Sequence, residues 1–176
     1  MIVEEWGNNM GKLKRLSLLI ILFGSSALCF AKQLSFQIVQ HDDSAKEVTE
    51  QSLIIEDEVL NTFFDYGFIV TNSNAAISAS KTQDEKLFKT GVGDAFNGFS
   101  DYFIQINLFF VKDDKSISDA ADLKQVKFSI TAVKTGETLV VQSFDNIKGT
   151  NQKDDLKKIS ADLVLAINKA LKSKKA

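Results

Sequence analysis

Proline is absent from the 176 residues, and cysteine, histidine and tryptophan occur once each. Arginine also occurs once, as Arg15. Each shortage excludes something. Without proline, no native cis-prolyl bond can slow folding. A lone Cys29 cannot close a disulfide within the chain. A single histidine, His41, rules out a His–His metal pair and leaves at most one Ser–His couple. The guanidinium group is the side chain best fitted to bidentate phosphate recognition, and the net charge is −2, so nucleic acid is not an expected partner.

Catalytic signatures are equally scarce. No Gly-x-Ser-x-Gly elbow is present. Gly91-Val92-Gly93 and Gly98 miss the spacing of a dinucleotide fingerprint, and no Lys-Ser/Thr follows as in a P-loop; close packing inside a distorted helix is the plainer reading. Asp113-Asp114 lacks the glycine and terminal glutamate of a calcium loop. Neighbouring side chains on an extended chain point apart, so His41-Asp42-Asp43 reads as a solvated loop rather than a metal site. The sequence therefore nominates no catalytic, cofactor-binding or metal-ligating residue, implies no cofactor, and predicts a protein that is not an enzyme.

What is present begins with a leader. From Met10 the chain runs through Lys12, Lys14 and Arg15, then the apolar stretch Leu16–Phe23, then small residues up to Ala31. A charged start, a short apolar core and a small-residue exit make a secretory signal peptide over residues 1–31, with Cys29 and Ala31 at the −3 and −1 positions. The apolar core is short for a membrane span, so no stable span is expected after cleavage. An uncleaved anchor is the competing reading. Cys29 also raises a lipoprotein reading, but Leu28 before it is large where a lipoprotein signal takes a small residue. Glu4, Glu5 and Trp6 suit a leader poorly, which makes Met10 an alternative start. Removing three basic and two acidic leader residues from the totals of 21 and 23 leaves 18 and 21, a net charge of −3. That remainder holds no cysteine, so its stability must come from a core, and 12 of the 14 phenylalanines are there to build one.

Residues 32–176 have the length and composition of a single globular domain, with 25% charged and 44% hydrophobic residues in the whole chain. The stretch Asp101–Ile147, read as three consecutive strands, organises it. Tyr102, Ile104, Ile106, Leu108 and Phe110 alternate onto one face of a strand, while Gln105 and Asn107 share the other with Phe103, Phe109 and Val111. Val126, Phe128, Ile130 and Ala132 mark a second strand. Lys134-Thr135-Gly136-Glu137 is a turn, and Leu139 to Phe144 a third strand, giving an antiparallel hairpin. Ser118 to Leu123 has the composition for one helical turn.

Earlier in the chain, Leu34, Phe36 and Ile38 alternate in a first strand that ends in the polar loop Gln40–Ser44. From Ser52 the apolar residues Ile55, Val59, Leu60, Phe63 and Phe64 recur at helical spacing, with Gly67 as the stop. Phe68–Thr71 is a short strand, so strand, helix and strand suggest a βαβ unit with a parallel pair. Asn72–Ser80 reads as a polar connection and Thr82–Phe99 as a helix interrupted at Gly91 and Gly93. The tail carries the clearest helix: Leu156, Ile159, Leu163, Ile167 and Leu171 form a stripe, Asn151 is the N-cap, and acidic and basic residues sit at the ends the helix dipole favours. The expected fold is α/β, a mixed sheet of about five strands that opens with βαβ and continues as an antiparallel three-strand meander, covered by helices including a long C-terminal one.

This element order, the Asp101-Tyr102 strand opening and the Thr135-Gly136-Glu137 turn resemble a group of bacterial envelope domains. The group contains the periplasmic lipoprotein activators of penicillin-binding proteins (LpoB), the curli secretion lipoprotein CsgG and the N-terminal domain of TolB. The resemblance spans Leu34 to Leu171 and implies protein contacts in the envelope with no catalytic residues to carry over. The missing lipoprotein signal departs from the pattern and favours a soluble periplasmic form. Two function classes follow. One is an exported, non-catalytic protein-interaction module, an accessory factor for a cell-wall synthase or an envelope assembly machine. The alternative is a periplasmic small-ligand-binding protein with an apolar, Phe-lined pocket. A large exposed apolar patch favours the first, and a closed apolar cavity with a few polar groups the second.

Overall fold

A computed structural model describes residues 32–112, 121–147 and 152–173. Its elements run β1 (Gln33–His41), α1 (Glu50–Asp65), β2 (Ile69–Ile77), α2 (Lys81–Asn97), β3 (Tyr102–Val111), β4 (Asp122–Ala132), β5 (Glu137–Phe144) and α3 (Lys153–Ser173). The strands form one sheet in the order β2-β1-β3-β4-β5. β1 pairs parallel with both β2 and β3, whereas β3–β4 and β4–β5 are antiparallel. The opening βαβ unit, the meander and the C-terminal helix are those the sequence predicts.

Register fixes which side chains share a face. Leu34, Phe36 and Ile38 stand beside Tyr102, Ile104 and Ile106, and these stand beside Ala132, Ile130 and Phe128. Because side chains alternate, that row makes one continuous apolar face. Two helices cover it. α1 contributes Ile55, Val59 and Phe63, and α3 contributes Leu156, Leu163, Val164, Ile167 and Leu171, all within one buried cluster with the strand residues. The opposite face carries Ser35, Gln37, Val39 and His41 from β1, Phe103, Gln105, Asn107 and Phe109 from β3, and Lys127, Ser129 and Thr131 from β4. Here α2 is fully buried only at Gly91 and Ala95. With Phe103, Val133 and the partly buried Phe88 and Val92, Ala95 makes a second, much smaller cluster.

Local chemistry sets the joints. The side chain of Gln40, at the end of β1, is fully buried and its Oε1 accepts from Thr49 N at 2.9 Å and Ser52 Oγ at 2.7 Å. Thr49 in turn caps α1, so one amide ties the strand end to the helix start. Ser80 caps α2 through Gln83 N, while Gln83 Nε2 reaches back to Ile77 O at 2.7 Å. Gly136 takes φ +68 in the β4–β5 turn, a conformation that glycine adopts without strain. Lys32 Nζ donates to Leu171 O at 3.0 Å and lies 5.0 Å from the centre of the Tyr102 ring. The C-terminal end of α3 is thereby held at the end of the sheet where β1 begins.

Several boundaries differ from the sequence reading. β1 runs through Gln40 to His41, so His41 belongs to a strand and not to a solvated loop. β2 continues from Ile69 to Ile77 through residues that read as a polar connection. As an edge strand it bonds only to β1, and its exposed positions need no apolar alternation. α2 is continuous through Gly91 and Gly93. Gly91 serves close packing: a Cβ there would stand 2.7 Å from Phe103 Cε2, whereas nothing lies within 4 Å of one at Gly93. β4 starts at Asp122, so Asp122 and Leu123 are strand where a helical turn was expected. The leader, Asn151 and Asp113-Asp114 lie outside the described residues.

Candidate functional site

The two ends of the sheet differ in character. At the C-terminal ends of β1 and β3, on the face under α2, a cleft of about 430 Å³ opens between the first half of α2 and the sheet. α2 supplies Lys81, Asp84 and Phe88 to one wall, and β3, β4 and β5 supply Gln105, Asn107, Lys127 and Val141 to the floor. The cleft forms because α2 covers β1 and β3 but leaves the same face of β4 and β5 without a helix.

His41 is fixed at its head. The imidazole stacks on Phe109, its partner across the parallel pair, with ring centres 4.4 Å apart and planes 11° from parallel. Its Nε2 donates to Asn107 Oδ1 at 3.0 Å. Asp84 Oδ1 lies 3.8 Å from the same nitrogen, too far for a hydrogen bond. Although the Asp84 side chain is 36% exposed, Oδ1 itself is sheltered and accepts no hydrogen bond.

Deeper in the cleft, Gln105 is 7% exposed and its Nε2 donates to nothing. Leaving a buried donor unpaired costs about 1–3 kcal/mol. Its neighbour across β1, Gln37, is 6% exposed; Gln37 Nε2 reaches Asn74 O at 3.4 Å while Oε1 has no partner. The sheet therefore carries a buried row of amides whose polar atoms are only partly used. Sequence reading put Gln105 and Asn107 on the mixed face but gave them no role. The legible signal is two amides at alternate positions of an otherwise apolar strand. Asp84 gave no signal, since a carboxylate in a first helical turn is ordinary.

The cleft is not the closed, Phe-lined pocket of the ligand-binding alternative. Phe88, Phe109 and Phe128 do line it, yet it opens to solvent and its deepest unpaired atom belongs to an amide. Among the described residues, no group of three or more His, Cys, Asp or Glu side chains is placed to hold a metal ion.

The other end of the sheet, where β1, β2 and β3 begin, is apolar and exposed. Of the nine large apolar side chains exposed among the described residues, five are there: Phe64, Tyr66, Ile69, Phe96 and Phe99, the last 86% exposed. α1 and α2 both end at this point. Ile69 N bonds to Lys32 O, Gln33 Nε2 donates to Gly98 O at 2.6 Å, and Gln33 N donates to Asp101 Oδ2 at 2.9 Å. Phe99 has a positive φ of 59, which turns the chain sharply from α2 into β3 and leaves the ring outside.

Fold and sites together define a mixed α/β domain with an apolar end and a polar cleft. A family model described as "Uncharacterised protein" matches residues 33–172, and the chain belongs to that family. No curated protein matches. Solved structures that resemble the chain include a protein from Xanthomonas campestris, 10% identical over 82% of this chain and 87% of that one, TM-score 0.45. They include TolB from Acinetobacter baumannii, 14% identical over 80% of this chain and 28% of that one, TM-score 0.42. The C-terminal domain of LpoB from Salmonella enterica is a third, 13% identical over 68% of this chain and 84% of that one, TM-score 0.38. TolB and LpoB are two of the proteins to which the sequence resemblance points.

Proposed function

We propose that this protein is an exported, non-catalytic interaction module of the bacterial cell envelope, docking on a protein partner through the end of the sheet where β1 begins. The observation that carries the reading is the gathering of Phe64, Tyr66, Ile69, Phe96 and Phe99 at that end. Scattered exposed apolar residues are ordinary, but five gathered at one end of a domain, four of them aromatic, point to an interaction site. The leader pattern of residues 10–31 supports export, with cleavage after Ala31 giving a soluble periplasmic form that starts at Lys32. Among the described residues no helix is long and apolar enough to cross a membrane. The sequence resemblance supports an accessory role toward a cell-wall synthase or an envelope assembly machine.

A photo-crosslinking residue placed at position 99, and in a second strain at position 165, tests the reading in cells. Leu165 is exposed on α3 and is not one of the five residues of the proposed surface. Position 99 is expected to yield one discrete adduct to an envelope protein and position 165 none. No adduct at 99, or the same adducts at both positions, overturns it. Intact mass of the protein from its host checks export separately: a species that retains Cys29, above all one carrying lipid, removes the soluble form.

A further inference from the structure

The apolar end carries a charge pattern as well as aromatic rings. α1 and α2 end there, before β2 and β3 begin, and the last turn of α3 is held there by Lys32. Each helix therefore turns the negative pole of its dipole toward this end, where a cation is favourable and an anion is not. α3 follows that rule: Lys172 stands in its last turn, and Lys32 Nζ donates to Leu171 O at 3.0 Å. α1 and α2 break it. Neither has a basic residue in its last turn. Instead Asp65 closes α1, and Asp94 stands in the last turn of α2. Both are exposed, and among the described residues neither is in an ion pair.

A second observation is how this chain seats its own cation. While Lys32 Nζ bonds Leu171 O, it lies 5.0 Å from the centre of the Tyr102 ring, so one ammonium serves an aromatic face and a helix C-terminus at once. The ends of α1 and α2 repeat that setting with exposed rings. Phe64 and Tyr66 flank Asp65 in the chain, and Phe96 and Phe99 follow Asp94. The other charges of this end do not offset the two carboxylates. Asp101 adds a third, which accepts from Gln33 N at 2.9 Å. Lys134 and Glu137 of the β4–β5 turn cancel each other.

Resting on the docking surface of the preceding section, we propose that the partner meets it with a protein segment in which lysine or arginine side chains stand among apolar ones. The apolar groups of that segment cover Phe64, Tyr66, Ile69, Phe96 and Phe99. Its cations pair with Asp65 and Asp94, lie at the negative poles of α1 and α2, and stack on the neighbouring rings. Arginine suits both tasks, since its planar guanidinium forks onto a carboxylate and stacks on an aromatic face. An anionic lipid surface meets the same carboxylates with like charge, which favours a protein over a membrane.

The adduct formed in cells by a photo-crosslinking residue at position 99 supplies the readout. Asp65→Lys combined with Asp94→Lys is expected to lower its yield by about tenfold, since like charge across an interface suppresses docking. Asp57→Lys with Asp162→Lys makes the same charge change at exposed positions within α1 and α3, and is expected to leave the yield unchanged. Both reversals in the first variant put a cation at a helix C-terminus, so it is expected to melt at or above the temperature of the unchanged protein, which separates lost docking from lost folding. Should it melt lower, Asp65→Asn with Asp94→Asn serves instead, with an expected fall of about threefold. The partner residue of the adduct, mapped by mass spectrometry, is expected to lie in a segment of net positive charge. An adduct whose yield ignores Asp65 and Asp94, or one mapped to a segment of net negative charge, overturns the basic partner and leaves the docking surface standing. So does sedimentation of the purified protein with vesicles of anionic lipid, which would make the partner a membrane. No adduct at position 99 in the otherwise unchanged chain overturns both.

Discussion

The two faces of the sheet are built from the same strands and differ in nearly everything else. On one, Leu34, Phe36, Ile38, Ile104, Ile106, Leu108, Phe128 and Ile130 meet two helices and are at most 1% exposed. On the other, the same strands present Ser35, Gln37, Gln105, Asn107, Lys127 and Ser129, and a single helix leans on Phe103. The lesson is a division of labour that period-2 alternation imposes on a central strand. β3 cannot move Ile106 without moving Gln105, so the face that holds the domain together also fixes the geometry of the face left for binding.

The largest expected effect comes from stripping the covered face of its lid. Truncation after Gly149 removes α3, whose Leu156, Leu163, Ile167 and Leu171 are at most 3% exposed. Burying those four side chains contributes about 6–12 kcal/mol before entropy costs, comparable to the net stability of a whole domain. The truncated chain is expected to be insoluble or molten, and a cooperative melt near the full-length temperature would show that α3 is dispensable.

Next comes the pair that contrasts the faces directly. Ile106→Ala opens a cavity in the covered face and is expected to cost about 2–5 kcal/mol in denaturant unfolding. Gln105→Ala, one residue away on the cleft face, removes a side chain that is already short of a hydrogen bond, and is expected to cost under about 1 kcal/mol. Equal unfolding midpoints for the two would mean that the faces do not differ as described.

Two glycines of α2 sharpen the contrast at smaller scale. Ala at position 91 runs into Phe103, which is fully buried and has no room to give, and is expected to destabilise by about 1–2 kcal/mol. Ala at position 93 meets open space, and is expected to stabilise by about 0.5–1 kcal/mol through helix propensity alone. Melting curves of the two single variants should move in opposite directions. Smallest of all, Phe99→Ser is expected to change stability by under about 0.5 kcal/mol, because an 86% exposed ring contributes little to the fold.

Much of this was legible in the residues. β3, the β4–β5 hairpin and α3 announce themselves because each must bury one face, and burial writes a period into the sequence. β2 beyond Thr71 did not, since an edge strand whose pattern is mostly exposed has no apolar face to declare. His41 was misplaced for a similar reason: the histidine is in the strand because of Phe109 and Asn107, 66 residues away for the latter, which no local pattern records. Gln105 and Asn107 fall on the face that alternation predicts, but that they line a cleft depends on strand order and on α2, which alternation does not encode. Asp84 comes near His41 only because α2 packs over β1, which no local pattern records.

The parallel pairing of β1 on both sides has a consequence for the order in which the fold can close. β1 is synthesised first, yet its partners arrive late: Gln33 pairs with Ile69 on one edge, and Leu34 waits for Tyr102 on the other. Through that interval the chain carries a strand of Leu34, Phe36, Ile38 and Val39 with at least one unpaired edge. Such an edge is the usual template for pairing with a neighbouring chain. The most deeply enclosed strand of the finished protein is thus the one that spends longest unprotected while the chain is being made. Keeping unfolded chains apart until β3 can pair should therefore raise the yield of folded protein.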